Sequence, residues 1–235
     1  MWVNLTSDYL KGFLELFFPR YCLSCGKKLL LEEQYLCLDC LLHLPRTNFH
    51  AYKENSVMKL FWGRVPVEMA TSYFFFKKGN RSQVILHELK YKGHKELGLF
   101  LGRRLGFELK ESELFREVEL VIPVPLHPKK LEMRKYNQSE WIAKGISEAM
   151  ELPLITDAVV RSIFTKTQTK RTRFSRWENV EGVFHVEEPE LVMGKHILLV
   201  DDVVTTGATL EACASALLTV PGVKVSIATL AVASL

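Results

Sequence analysis

Apolar and polar positions along this chain follow two different periods, and the switches between them mark out its elements. Short apolar runs bounded by turn residues fall at 70–76, 119–124, 197–201 and 224–232, and these predict buried strands. Between them, apolar residues recur every three or four positions over 82–91, 96–109, 139–150 and 208–218, which predicts helices. Two further short strands are predicted at 157–160 and 183–186, on either side of a long polar segment. Strands separated by helices imply an α/β fold, a mostly parallel sheet with helices on both faces. Ahead of residue 70 the pattern differs. Residues 1–19 place Leu5, Tyr9, Leu10, Phe13, Leu14, Phe17 and Phe18 at helical spacing, interrupted by Asp8, Lys11 and Glu15, which predicts an amphipathic helix. Residues 45–66 lie between prolines and show helical character only around 56–62. The expected organisation is therefore an N-terminal helix with a cysteine module over 1–45, a connection over 46–66, and an α/β domain over 67–235.

Composition adds little to that picture, but charge adds a location. With 235 residues, 48% hydrophobic and 25% charged, the chain is of ordinary globular make-up. No run is long and apolar enough to insert stably in a bilayer, and the amphipathic start lacks the unbroken apolar core of an export signal, so a cytoplasmic protein is expected. The net charge is +4, yet Arg161, Lys166, Lys170, Arg171, Arg173 and Arg176 occur without a single acid between 161 and 177, leaving −2 for the remainder. A concentrated basic segment implies an anionic partner at that place.

The cysteines are paired by spacing. Cys22-x2-Cys25 and Cys37-x2-Cys40 are separated by eleven residues, the arrangement of two knuckles that give four thiolates to a tetrahedral Zn²⁺. Four cysteine ligands leave no open position, so such a site is structural. Two disulfides are the rival reading and would require an oxidising compartment. Cys213 falls in the apolar pattern of the helix over 208–218 and reads as core.

The most informative run is Ile-Leu-Leu-Val-Asp-Asp-Val-Val-Thr-Thr-Gly-Ala-Thr at 197–209. An apolar strand delivers Asp201 and Asp202 to its carboxyl end, and a hydroxyl-rich turn follows that opens a helix. Backbone N–H groups at a helix start lack intrahelical partners and the helix dipole favours negative charge, so Thr205, Thr206, Gly207, Ala208 and Thr209 can hold a phosphate without lysine. Gly207 lets the backbone come close. Two carboxylates beside an anion site make sense if the phosphate is attached to a diol whose hydroxyls they accept, with Mg²⁺ placing a pyrophosphate on the same sugar. This run resembles the 5-phosphoribosyl-1-pyrophosphate (PRPP) signature of type I phosphoribosyltransferases.

Ligands of open parallel sheets bind beyond the carboxyl ends of the strands, which draws in two more segments. After the strand at 119–124 comes Pro-Val-Pro-Leu-His127-Pro-Lys129-Lys130-Leu-Glu-Met-Arg134-Lys135-Tyr136-Asn137-Gln138, which reads as a loop rich in cations and amides that leads into a helix. Residues 165–184 are too polar for a core element and too long for a plain connection, as a mobile lid would be. Together with the knuckles, Lys90-Tyr91-Lys92-Gly93 and the Thr-Gln-Thr segment running to Arg176, Asn179 and Phe184, these segments resemble the ComF (ComFC/GntX-like) family from about residue 20 onward. That family has a phosphoribosyltransferase fold and is associated with bacterial DNA uptake and natural competence. The resemblance implies that Asp201 and Asp202, as the catalytic pair, meet the ribose. It assigns the 5′-phosphate to 205–209 and the pyrophosphate to His127, Lys129 and Arg134, with Lys166, Lys170, Arg171, Arg173 and Arg176 closing over it. One departure is visible: many relatives have glycine before the aromatic-Asn-Gln triplet, where this chain has Lys135.

The sequence leaves the activity open between two classes. One is Mg²⁺-dependent phosphoribosyl transfer, in which pyrophosphate leaves a sugar carbon that develops oxocarbenium character. The acceptor is not legible, and His127 is the best proton-handling candidate in the cleft, with phosphate binding or plain solvation favoured over that role. The other is a single-stranded DNA-binding or scaffold protein of the competence machinery without turnover, in which Phe164, Phe174 and Trp177 stack on bases between the cations of the basic segment. A nucleotide-binding Gly-x4-Gly-Lys-Ser/Thr loop is absent, so ATP-driven movement would come from a partner. His87, His94 and His196 carry no assigned role.

Overall fold

The computed structural model describes residues 17–161 and 183–233. Most of the predicted N-terminal helix, and the lid or nucleic-acid residues Lys166, Lys170, Arg171, Arg173 and Arg176, lie outside the described residues. In chain order the elements begin with helices α1 (Leu38–Leu42) and α2 (Ser56–Lys59), strand β1 (Ala70–Phe76), helices α3 (Arg81–Tyr91) and α4 (Lys95–Lys110), and strand β2 (Leu120–Pro123). They continue with helices α5 (Pro128–Arg134) and α6 (Gln138–Met150), strands β3 (Val159–Arg161) and β4 (Phe184–Val186), helix α7 (Pro189–Val192), strand β5 (His196–Val204), helix α8 (Ala208–Leu217) and strand β6 (Lys224–Ala233). Among the described residues no helix is long and apolar enough to cross a membrane.

Four of the strands form one parallel sheet in the order β1-β6-β5-β2. Residues 196–200 of β5 are buried throughout, as a strand covered on both faces must be. On one face Leu198, Val200 and Ala228 pack with Ile85 and Leu89 of α3, Leu101 and Leu105 of α4, and Ile142 and Ile146 of α6. On the other, Ile197, Leu199 and Ile227 pack with Leu210, Cys213 and Leu217 of α8 and with Val57 and Phe61. Strands β3 and β4 stand apart as an antiparallel pair.

Both edges of the sheet are covered by irregular chain. The Pro45 carbonyl accepts from Phe75 N–H at 2.8 Å and Thr47 N–H donates to the Tyr73 carbonyl at 3.2 Å, flanking β1. Val121 of β2 donates to Pro153 at 3.0 Å and accepts from Ile155 at 3.1 Å. Short flanking pieces with a proline at each edge satisfy the ladder without offering a further strand to pair.

Helices α4 and α6 approach closely enough that side chains are excluded between them. A Cβ on Gly102 would lie 2.2 Å from the Ile142 carbonyl oxygen, and one on Gly145 2.2 Å from that of Leu99. This contact fixes where α6 begins, at the carboxyl end of the sheet.

Two local expectations are corrected. The strand carrying the acids does not stop at residue 201. It runs to Val204, because β6 continues beside it and pairs Val203 with Ala231 and Val204 with Val232. Asp201 and Asp202 therefore sit within the ladder, with Asp201 opposite Thr229. The cationic stretch after β2 is not a plain loop: Pro128 at its first turn and His127 as N-cap make it helix α5. Helix α5 ends at Lys135, whose φ of 66° is the left-handed conformation for which the resemblance expects glycine.

Candidate functional site

Strand β5 brings the two aspartates to a place where helices from distant parts of the chain supply their partners. The Asp201 carboxylate accepts from the Ser139 hydroxyl and from the Asp202 N–H, each at 2.8 Å. Lys90, in the last turn of α3, lies 3.0 Å from the Asp202 carboxylate. Burial pushes the Asp201 carboxyl up to about 7, and the Asp202 charge pushes the same way; Ser139, the Asp202 N–H and Lys90 oppose it only in part. A carboxylate pair short of compensating charge is suited to gain a divalent cation or hydrogen-bond donors such as sugar hydroxyls.

Immediately beyond β5 the chain makes a small hollow of ≈ 50 Å³, lined by Asp201, Val203 and residues 204–210. Gly207 turns the chain at φ 78°, and α8 starts at Ala208 with no side-chain cap. The first N–H groups of an α-helix have no intrahelical carbonyl to donate to, and Thr205, Thr206 and Thr209 line the hollow at this helix start. The turn at 205–209 thus shares a hollow with Asp201, the neighbour of Asp202 on β5.

The rear of that turn is held by residues whose role is not legible in the sequence. Arg64 donates from Nη1 to the Thr206 carbonyl at 2.8 Å and to the Leu60 carbonyl at 3.0 Å, while its Nη2 pairs with Glu211 of α8. Phe61, buried, stands against Gly207, where an added Cβ would lie 3.1 Å from its ring. Asn55 sets this segment: its side chain caps α2 through Val57 and Met58 N–H, and its Nδ2 donates to the Ala70 carbonyl at 2.9 Å. Ser139 likewise gives no signal of its own along the chain, although it directly follows the conspicuous Asn137-Gln138 pair.

The residues expected to meet pyrophosphate are placed unequally. Lys129 is exposed on α5. His127 accepts the Lys129 N–H at its Nδ1, 3.2 Å away, so that nitrogen is engaged as a helix cap. Arg134 is turned toward α6 and α3, donating to the Gln138 side-chain oxygen at 2.7 Å with its guanidinium 5.4 Å from the Tyr91 ring centroid. Its Nε is buried without a hydrogen-bond partner among the described residues. Asn137 caps α6 by accepting from Ser139 N–H and ties it to β2 by donating to the Val124 carbonyl at 3.0 Å. His196 is a core residue bonded to Ser226, and His94 faces Glu88.

The four knuckle cysteines form a second centre. All are free thiols, and their sulfurs lie within 4.8 Å of one another, a group that can hold a metal ion. The Cys25 and Cys37 sulfurs are 3.7 Å apart, close to the edge of about 3.8 Å that a tetrahedron with zinc–sulfur bonds of ~2.3 Å requires. Burial acts to raise the Cys22 thiol, but the N–H groups of Cys37, Cys25 and Ser24 outweigh it and bring it down to about 7. Gly26, at φ 74°, closes the first knuckle by donating to the Cys22 carbonyl at 2.9 Å. Leu29, Leu36, Cys40 and Leu44 belong to the same packed cluster as α3, α4 and α6.

Residues 137–233 match the phosphoribosyl transferase domain family. The chain is 32% identical over 137 residues to DNA utilization protein YhgH of Shigella flexneri, a match covering 57% of this chain and 60% of that protein. It is 26% identical over 199 residues to competence protein F of Haemophilus influenzae, covering 83% of this chain and 76% of that protein. The alignment with YhgH thus spans less than two thirds of its length. Among solved structures, glutamine PRPP amidotransferase from B. subtilis is similar with a TM-score of 0.41 at 20% identity, covering 60% of this chain and 30% of that one.

Proposed function

We propose that this chain, which carries a phosphoribosyl transferase domain and is homologous to competence protein F and DNA utilization protein YhgH, is a PRPP-binding protein serving DNA uptake. The observation that carries the reading is that Asp201, next to Asp202 on β5, lines the same hollow as the turn that opens α8. In this reading the ribose hydroxyls donate to Asp201 and Asp202, and the 5′-phosphate is held by the amides and hydroxyls of 205–209. Lys129 and the Nε2 of His127 are available to the pyrophosphate, Arg134 would reach it by leaving Gln138 and Tyr91, and the basic residues from Lys166 to Arg176, outside the described residues, are the remaining cations assigned to it. The DNA-uptake assignment rests on the names of the two relatives.

Two metals belong to the proposal. The aspartates offer hard oxygen donors next to a sugar pyrophosphate, which fits Mg²⁺ bound with PRPP, and the ion would neutralise the departing pyrophosphate. The four thiols fit Zn²⁺ in a closed structural site, and the division at residues 45 and 66 into a cysteine module, a connection and an α/β domain belongs to the same proposal.

The test is thermal. PRPP with Mg²⁺ is expected to raise the melting temperature of the wild-type protein, by the equivalent of about 2.7 kcal/mol at a hundredfold excess over Kd. Asp201→Asn combined with Asp202→Asn is expected to abolish that rise. An equal rise in the double variant would remove the aspartates from the site.

A further inference from the structure

We propose that Arg64 is a positioning residue for the phosphate turn: it holds the peptide between Thr206 and Gly207 in the orientation that presents the Gly207 N–H to an anion, and it neutralises Glu211. The proposal rests on the phosphosugar reading of the turn. In a trans peptide the carbonyl and the next N–H point in opposite directions, and the described residues contain no cis peptide bond. The Thr206 carbonyl is pinned to Arg64 at 2.8 Å, so the Gly207 N–H is aimed away from the guanidinium. Glycine is the residue for which the opposite orientation is accessible, since its backbone tolerates both signs of φ. A flipped plane would turn a carbonyl oxygen toward the anion in place of a donor.

Three contacts fix the guanidinium that does the pinning. Nη1 reaches the Leu60 carbonyl at 3.0 Å as well as Thr206, and Nη2 reaches Glu211. A planar fork can satisfy two carbonyls and a carboxylate at once, which a lysine ammonium on a flexible stem does less well. Buried Phe61 presses on Gly207 and ties the same segment to the turn. The second effect of Arg64 is electrostatic. Glu211 lies in the first turn of α8, beside the place where phosphate would sit, and unpaired it would repel that phosphate. Arg64 cancels this charge from behind without occupying the hollow. Residues 45–66, silent in the sequence, thereby carry the brace of a turn located far along the chain.

The experiment is calorimetric titration of PRPP with Mg²⁺ into wild type, Arg64→Ala, Arg64→Lys and Glu211→Gln at 25 °C, with circular dichroism confirming that each variant is folded. Arg64→Ala is expected to weaken binding about tenfold, the scale of one lost charge-assisted hydrogen bond. Arg64→Lys, which retains one donor and the charge, is expected to recover part of that loss, and Glu211→Gln to bind within about twofold of wild type because it still accepts from Arg64. A merely structural arginine would lower the melting temperature and leave affinity alone. Wild-type binding with Arg64→Ala equal to it would overturn the brace and spare the phosphosugar reading. Wild-type failure to bind PRPP would overturn both. If Arg64→Ala does not fold, Arg64→Lys decides: a loss of about threefold or more is expected, and affinity equal to wild type would overturn the brace.

Discussion

The two candidate centres of this protein are assembled on opposite plans. The thiol cluster takes all its ligands from residues 22–40, through two tight knuckles and the start of one short helix. The acid-and-turn site takes Asp201 and Asp202 from β5, Ser139 from α6, Lys90 from α3 and Arg64 from the segment before β1. Some of its partners are 142 positions apart in the chain. A centre closed within one local stretch needs only its own turns and its metal. One gathered across the sheet needs every helix to arrive at the right height. The first should respond to ligand substitution and to little else, while the second should respond to packing changes far from its own atoms.

Three perturbations test that contrast. The largest effect is expected from Cys40→Ser, which removes a buried sulfur at the centre of the cluster. Metal analysis of wild type should return about one zinc per chain, and the variant should lose it. Because Leu29, Leu36 and Leu44 pack with the main core, the loss should cost roughly 3 kcal/mol or more, measured by denaturant unfolding. Wild type free of metal when purified under reducing conditions would remove the zinc assignment.

A smaller effect is expected from Gly102→Ala, at the crossing of α4 and α6, which removes no ligand from either centre. Its methyl group would meet the Ile142 carbonyl and push α4 and α6 apart, costing about 1–3 kcal/mol. Since α6 carries Ser139 and is capped by Asn137, the PRPP-induced thermal shift should shrink, whereas the zinc content should stay at the wild-type level. A variant that kept the full shift would show that the sugar site tolerates helix displacement, and the contrast would fail.

The smallest effect concerns pH. In the ligand-free protein the Asp201 carboxyl is raised to about 7 from 3.8, chiefly by burial, so the folded chain retains a proton that the unfolded chain gives up. A raised carboxyl costs stability progressively as pH climbs from about 4 to about 7. Replacing it with Asn removes that cost. Asp201→Asn is therefore expected to melt about 2–4 °C above wild type at pH 8 without ligand, and by less at pH 5. A difference independent of pH would show that Asp201 is ionised throughout.

Much of this architecture can be read along the chain, and the reasons are local. The runs over 70–76 and 224–232 are largely apolar because both faces of a parallel strand are covered, and such runs stand out in any context. The pair spacing of Cys22, Cys25, Cys37 and Cys40 is itself the geometry of a knuckle. The neighbouring acids and the hydroxyl-rich turn are consecutive, so their chemistry is visible before any folding is considered.

Features that only folding reveals have the opposite character. Arg64 is one arginine among many until α2 and Phe61 deliver it to the Thr206 carbonyl. Gly102 and Gly145 look like weak points in two helices until the helices cross there. Strand β5 runs past its acids because β6 lies alongside, and Lys135 adopts a left-handed turn because the end of α5 demands one. Periodicity and short spacing act over a few residues, and for that reason the elements, the thiol ligands and the chemistry of the acid turn are written in the order of amino acids alone. Which cation pairs with which acid, and which arginine meets the turn at 205–209, were decided by the packed molecule, because those contacts join residues that nothing but a shared core brings together.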